Sequence, residues 1–327
     1  MIISKTPLRI SFVGGGSDLA SYYKYRPGAV ITTAIDKYIY ITVNKKFDKK
    51  IRASYSKTEI VDQVYELKHE LIRQCLRMVG IDGGIEITSI SDIPSEGTGL
   101  GSSSSYVVGL LNALYAFVGK HVNAERLARE ACKIEIDILK KPIGKQDQYI
   151  AAYGGLQYVQ FNPDESVYVD PIICLSKTKK EFESHLLLLY TGLTRSADAI
   201  LAVQNKNMKN KTSKRNTMEK MVSLTKKMQT ALNKNKLASI GTLLDKNWML
   251  KKTMAEGVSN TSIDTWYNTA KKHEAMGGKI LGAGGGGFLL LWAEPERHEE
   301  ITQSLPELIQ MPIKLEPQGS KIIFVSE

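Results

Sequence analysis

Residues 1–62 alternate apolar and polar positions with a period of two. Leu8-Arg9-Ile10-Ser11-Phe12 and Tyr38-Ile39-Tyr40-Ile41-Thr42-Val43 show it best, with turn residues between them. Successive side chains of a strand face opposite sides, so this period predicts strands with one face on a core. The period then lengthens. Residues 64–79 predict a helix that stops at Gly80, and 84–89 predict a further strand. An apolar helix is expected over 104–118. Asn123 is placed to cap another, running to 139 and ending before Pro142. Residues 144–155 predict a loop with a short helix, and 156–161 and 167–169 predict strands.

The pattern changes character around 171–180, where a soft domain boundary is expected. Beyond it the chain predicts a strand at 185–190 and helices at 196–205, 216–233, 236–249 and 262–276. A glycine-rich turn, a strand at 288–292, a helix at 296–304 and strands at 311–315 and 321–325 follow. Met218, Met221, Leu224, Met228 and Leu232 recur at spacings of three and four, the apolar stripe of an amphipathic helix. Strands and helices interleave in both halves. The expectation is an α+β chain of two domains, 1–175 and 176–327, without internal repeats.

Composition narrows the class. The chain has 327 residues, 43% apolar and 24% charged, as in soluble globular proteins able to bury a sizeable core. No apolar run approaches the ~20 residues of a membrane span. The first seven residues lack the charged head and apolar stretch of a secretory signal, so cytoplasmic residence is expected. Cys75, Cys132 and Cys174 are odd in number and widely spaced, which argues against a disulfide framework or a zinc site. The net charge of +10 is concentrated in 205–252, including Lys206, Lys209, Lys211, Lys214, Arg215, Lys220, Lys226 and Lys227. These lie largely on the wet side of the methionine stripe, and aromatic residues are nearly absent there until Trp248. That pattern fits a solvated helix face first and attraction of anionic small molecules second. Neither nucleic acid nor a membrane is expected as a partner.

Four segments carry candidate chemistry. The first is Ile93-Pro94-Ser95-Glu96-Gly97-Thr98-Gly99-Leu100-Gly101-Ser102-Ser103-Ser104-Ser105. Its spaced glycines let the backbone approach a ligand at positive φ, so successive N–H groups can form a nest for phosphates. The following helix points its positive end at the same place. The serines add donors, and one could ligate Mg²⁺. The lysine of a Walker loop is missing. The second is Lys279-Ile280-Leu281-Gly282-Ala283-Gly284-Gly285-Gly286-Gly287-Phe288, which leads into a strand rather than a helix. It is therefore no dinucleotide fingerprint, and close packing against the first loop and its nucleotide is expected. The third is Arg9 with Gly14, Gly15, Gly16, Ser17 and Asp18. A guanidinium on the polar face of that strand could balance charge on a transferring phosphoryl group, and the glycines leave room for a substrate. The fourth joins Glu135, near a helix end, to Asp147, expected in a loop. Two carboxylates could divide the labour, one on Mg²⁺ and one accepting a hydroxyl proton, and Lys145 could hold Asp147 ionised.

Together these segments resemble the GHMP kinases, the family of galactokinase, homoserine kinase, mevalonate kinase and phosphomevalonate kinase. The order matches: a P-x-R strand, a P-x-x-x-G-x-G-S-S loop and a late glycine motif, spanning Pro7 to Phe288. The Gly14–Asp18 run, Gly144-Lys145-Gln146-Asp147-Gln148 and Thr194-Arg195-Ser196-Ala197 resemble one subgroup. That subgroup acts on D-glycero-D-manno-heptose 7-phosphate and has L-fucose kinase as a close relative. The first motif carries Gly-Gly-Gly where other members have Gly-Glu-His, which argues against galactose.

The resemblance implies a ribosomal S5 domain 2-like N-terminal domain and a ferredoxin-like C-terminal domain, with ATP between them. It implies Asp147 as general base, Arg9 as the positive group beside the reacting oxygen, and Ser103 and Glu135 as holders of Mg²⁺. Pro94, Gly97, Gly99, Leu100, Gly101, Ser102, Ser103, Ser104, Gly284 and Gly285 become the expected ATP contacts. Gly15, Gly16, Ser17, Asp18, Lys145, Arg195 and Ser196 become the expected substrate contacts, with Lys145, Arg195 and Ser196 toward a distal phosphate. Ser104 and Ser105 stand where the family has a small residue, so which serine meets the metal stays open. The chain is expected as a monomer or homodimer. A free-sugar kinase or a non-catalytic sugar and ATP sensor of the same fold are the rival readings. If the acceptor carries a distal phosphate, Arg195→Ala should weaken its apparent affinity. For a free-sugar kinase the same variant should change the sugar KM little, and steady-state kinetics on both acceptor types separates the two.

Overall fold

The structure is a computed structural model and describes residues 1–94, 97–194 and 197–326. The candidate contacts Arg195 and Ser196 lie outside the described residues.

Twelve strands form two sheets among these residues. The first sheet contains β1 (Ile2–Val13), β2 (Gly28–Lys45), β3 (Ile51–Ser54), β4 (Thr58–Val61), β5 (Ile85–Ser91), β6 (Leu156–Phe161) and β7 (Val167–Pro171). It also takes β12 (Lys321–Val325) from the far end of the chain. The second contains β8 (Leu186–Tyr190), β9 (Gly277–Ile280), β10 (Phe288–Trp292) and β11 (Ile309–Gln310). The first sheet runs β12-β1-β2-β5-β3-β4. The long β2 gives one edge to β1 and splits the other, pairing β5 through Ile39–Lys45 and β6 through Gly28–Thr33. The second sheet is antiparallel in the order β11-β8-β10-β9. With helices between β8 and β9 and between β10 and β11, that is the ferredoxin-like β-α-β-β-α-β arrangement, carrying extra helices in its first crossover.

The chain does not stay on one side of a division at 175. Strand β12 pairs with β1, Leu315 bridges to Ile35, and helix Thr212–Asn233 packs on β2. The methionine stripe of that helix is buried, with Met218, Met221, Met228 and Leu232 fully enclosed. Leu224, Met228, Leu232, Phe288 and Trp292 belong to the same apolar cluster as Leu8, Ile10 and Phe12. One core therefore runs through both halves, and their relative position is fixed by packing rather than by a linker.

Several elements depart from the sequence pattern for identifiable reasons. Residues 64–79 split into a 3₁₀ turn, Val64–Glu66, and a helix, Glu70–Val79, because the His69 side chain caps the latter by accepting from Ile72 N–H. Gly80 ends it at φ +81°. The expected boundary at 171–180 contains a helix, Ser176–Ser184, with only Thr178 and Phe182 buried on its inner face. One buried apolar side chain is too little to produce a legible stripe. The turn expected before Phe288 begins with a strand instead. A Cβ on Gly277 would meet the Gly241 carbonyl oxygen at 2.0 Å, so these glycines let helix Ile240–Lys252 lie against β9. No helix among the described residues is long and apolar enough to cross a membrane.

Trp292 is buried, stacks on His185 and packs against Phe182 at 5.1 Å between ring centroids. Trp292→Ala should cost ~3–5 kcal/mol and lower the urea midpoint of both halves together, read by tryptophan-independent circular dichroism.

Candidate active site

A cleft of about 670 Å³ lies where the two halves meet. One wall is the glycine loop. Gly97, Gly99 and Gly101 take φ of +70°, +74° and +78°, the left-handed region closed to most side chains. Gly101 immediately precedes helix Ser102–Phe117, two residues earlier than the apolar pattern alone suggests. The first N–H groups of that helix have no acceptor within it, and with the helix dipole they make this end of the cleft attractive to anions. Ser102, Ser103 and Ser104 all line it.

The late glycine run forms the facing wall by backbone contact. A Cβ on Gly99 would sit 2.5 Å from the Leu281 carbonyl oxygen, and one on Gly282 would sit 2.7 Å from the Gly99 Cα. A Cβ on Gly287 would lie 2.4 Å from the Thr98 carbonyl oxygen. The two motifs, nearly two hundred residues apart in sequence, touch with no side chain between them.

Arg9 joins the loop to the Asp147 carboxylate. Its backbone N–H donates to the Leu100 carbonyl at 3.0 Å, and Nη1 donates to the Gly99 carbonyl at 2.5 Å. Nε and Nη2 donate to Asp147 Oδ1 and Oδ2 at 2.7 and 2.6 Å. This two-pronged geometry fixes both position and orientation of the carboxylate. Arg9 is buried, while Asp147 keeps 23% of its side chain open to the cleft. Asp147 lies in the first turn of helix Gln146–Tyr153, not in the loop expected from Pro142. That corrects its setting: a helix holds its side chain more firmly than a loop would.

Glu135 lies on a π-helical segment, Lys133–Ile138, that continues helix Ala124–Cys132. Such segments change the facing of a helix, commonly at functional sites. Its carboxylate is fully buried and accepts from Ser103 Oγ, Ser104 Oγ and Gln148 Nε2, each at 2.7 Å. Lys141 Nζ lies 3.3 Å from Glu135 Oε1 and 2.9 Å from Ser103 Oγ, bridging the two. A carboxylate oxygen beside a hydroxyl suits a hard cation such as Mg²⁺, which takes oxygen ligands from protein and phosphate. The ammonium bridging this pair marks it as a place for positive charge. Ser104 shares Glu135, so both serines flank the place.

The end of the cleft expected to take the substrate is built around Asp18. Its oxygens accept from Gly16 N–H at 2.9 Å and Gln146 N–H at 3.3 Å. Burial, then the nearby Asp147 charge, raises its pKa. Gly15, Gly16 and Asp18 line the cleft.

Other expected contacts sit elsewhere. The Ser17 hydroxyl donates to the Ala29 carbonyl and accepts from Ala29 N–H, so it holds the turn and does not reach the cleft. The Lys145 ammonium pairs with Glu165 and lies over the Tyr23 ring at 4.6 Å. It is therefore not the cation that holds Asp147; Arg9 is. Pro94 is exposed and off the cleft, and Leu100 is buried in the core, serving through its carbonyl. Gly284 lines the cleft, whereas Gly285 donates its N–H to the Val258 carbonyl and turns away. Sequence reasoning missed Ser11, Lys141, Lys251 and Lys279 as cleft residues. Lys279 lies three residues before Gly282, the start of the late glycine run, the one signal that could have singled it out.

Gly99→Ala would force the loop away from Leu281 by nearly 1 Å. Misplacement on that scale should lower kcat/KM for ATP by about 100-fold, and the strain at positive φ should lower the thermal midpoint as well, measured by steady-state kinetics and calorimetry.

Comparison with known proteins places this geometry. The GHMP kinases N terminal domain matches residues 61–155, and the GHMP kinases C terminal domain matches residues 228–309. The chain is 30% identical to D-glycero-alpha-D-manno-heptose 7-phosphate kinase of Campylobacter jejuni, across 93% of each chain. It is 26% identical to L-fucokinase/L-fucose-1-P guanylyltransferase of Bacteroides fragilis, across 94% of this chain and 36% of that one. Among solved structures, D-glycero-D-manno-heptose 1-phosphate kinase from Bacteroides thetaiotaomicron superposes with a TM-score of 0.83 at 25% identity, covering all of both chains. The chain belongs to the GHMP kinase family, as an ATP-dependent kinase whose relatives named above act on sugars.

Proposed function

We propose that this protein transfers the γ-phosphoryl group of ATP to the anomeric hydroxyl of D-glycero-D-manno-heptose 7-phosphate, giving the 1,7-bisphosphate. The observation that carries the reading is the Arg9–Asp147 fork, set between the amide-rich end of helix Ser102–Phe117 and the Gly15, Gly16 and Asp18 side of the cleft. The named Campylobacter jejuni relative, a heptose 7-phosphate kinase, supports the acceptor.

The ATP phosphates rest on the N–H groups of Gly97–Ser104, and the acceptor lies across the fork. Asp147 accepts the hydroxyl proton as the O–H bond breaks and the sugar oxygen bonds to the γ-phosphorus. The bond to the bridging oxygen breaks and ADP leaves. Arg9 remains charged throughout and balances the developing negative charge on the phosphoryl oxygens. Mg²⁺, when bound, would sit on Ser103 and Glu135 and neutralise charge shared by the β- and γ-phosphates. The tertiary packing supplies orientation: Asp147 cannot rotate without breaking both prongs of the fork.

Asp147→Asn should reduce turnover by ~10²–10⁴-fold while ATP affinity stays within about twofold. Coupled ADP-release kinetics and nucleotide titration measure the two quantities. Near-normal turnover in the folded variant would remove Asp147 as base. Phosphorus NMR of the product reads the position and anomer of the new phosphate, and a panel of sugars and sugar phosphates reads the acceptor.

A further inference from the structure

Two lysines of the cleft play no part in that reading. Lys251 lies in helix Ile240–Lys252 and Lys279 on β9, and they are only 5% and 3% exposed. Lys251 Nζ donates to Gln204 Oε1 at 2.9 Å and to the Gly15 carbonyl at 3.3 Å. Lys279 Nζ donates to the Ser11 carbonyl at 2.8 Å. An ammonium has three donors, so one remains on Lys251 and two remain on Lys279. Neither lysine forms an ion pair among the described residues. Ser11, two positions beyond Arg9 on the same face of β1, also lines the cleft, and its buried Oγ has no partner.

Buried cations are ordinarily paired, because taking an ion out of water is costly. Here the pairing is missing. Burial pushes Lys251 down to about 8. Burial, then repulsion from Lys251 and Arg9, pushes Lys279 down to about 7. Asp18 opposes both shifts but spends its oxygens on backbone N–H groups. The arrangement holds more positive charge and more unspent donors than the protein itself can satisfy.

We propose that Lys251, Lys279 and Ser11 form a subsite for a phosphate monoester carried by the acceptor, at its end away from the reacting hydroxyl. This rests on the acceptor being a sugar phosphate. Placement along β1 separates this subsite from the ATP phosphates. The glycine loop reaches Arg9 through Leu100 and Gly99, whereas the lysines reach Ser11 and Gly15. Arg9 and Ser11 are ~7 Å apart at the ~3.3 Å rise of a strand. That is a sugar's length from the Arg9–Asp147 fork, suited to a terminal phosphate and too far for the group being transferred. The charge on the lysines then also explains the direction of pH dependence. As pH rises through 7 to 8 the unliganded lysines lose protons, so affinity for the phosphate dianion, the form a monoester takes above its second pKa of about 6, should fall above pH 7.

The test is calorimetric titration of sugar phosphate, the matching free sugar and inorganic phosphate into the full chain, with ATP kinetics alongside. Wild type, Lys279→Met and Lys251→Met are compared, with Lys279→Gln and Lys251→Gln held in reserve should a methionine variant fail to fold. In the variants, sugar phosphate and inorganic phosphate should each bind ~30-fold or more weakly, while free-sugar affinity and the ATP KM stay within about threefold. Their unliganded thermal midpoints should match or exceed wild type, because an uncompensated buried cation is gone. Wild-type phosphate affinity should fall between pH 7 and 9, and the variants should flatten that profile. Equal losses for sugar phosphate and free sugar, or a raised ATP KM with acceptor affinity intact, would overturn the subsite. A wild type that binds free sugar as tightly as sugar phosphate overturns the acceptor reading instead. The inorganic phosphate arm still decides the subsite in that case.

Discussion

The Arg9–Asp147 fork is the constraint on which the rest of the site depends. A guanidinium taken out of water must be paired with an anion and hydrogen-bonded, or the fold loses several kcal/mol. Arg9 meets that demand with both Asp147 oxygens and the Gly99 carbonyl, while its backbone N–H holds Leu100. One residue therefore ties the first strand, the glycine loop and the helix that carries Asp147. Loop and carboxylate cannot drift apart without exposing a buried charge. Gly101 completes the joint: a Cβ there would lie 3.1 Å from Arg9 Cγ and 3.3 Å from Asp147 Oδ2.

Glycine does a second kind of work across the domain junction. Where Gly99, Gly282 and Gly287 meet, backbone packs on backbone. A side chain at any of them would separate the walls of the cleft. The shared core supports the same closeness, because helix Thr212–Asn233 packs on β2 and β12 returns to β1. A cleft between two rigid, mutually packed bodies can hold catalytic groups to the tolerance that phosphoryl transfer requires. In the reading proposed above Mg²⁺ would add charge neutralisation to this frame at Ser103 and Glu135, which the Lys141 ammonium bridges in this structure.

Charge acts at two scales. Most of the +10 comes from residues such as Lys206, Lys209, Lys220, Lys226 and Lys227, which are exposed and solvated. Their individual energetic effect is small because water and salt screen them. Lys251 and Lys279 add little to the total and far more to the local field, because they sit in the low-dielectric floor of the cleft beside Arg9. The gross charge of the chain is thus a poor guide to where an anion would be held.

The sequence by itself determined the elements and the chemistry of the motifs. Period-two patterning marked β1, β2 and β6, and the methionine stripe marked its helix, because burial of one face leaves a local imprint. The spaced glycines and serines marked the loop that forms one wall of the cleft, because positive φ restricts residue choice at single positions. Arg9, Glu135 and Asp147 stood out as candidates by residue type and position, and the family resemblance assigned each its expected role. Tertiary structure alone decided which charges meet. Lys145 adjoins Asp147 closely in sequence yet pairs with Glu165, while Arg9, distant in sequence, takes both Asp147 oxygens. Helix Ser176–Ser184 and strand β9 escaped the pattern because one hides too few apolar residues and the other carries glycines for helix packing. Lys251 fell within the 205–252 stretch read as a solvated face, and Lys279 opened the late glycine segment with no role of its own. Electrostatic partnership depends on distances through space, and those exist only once the two halves have packed.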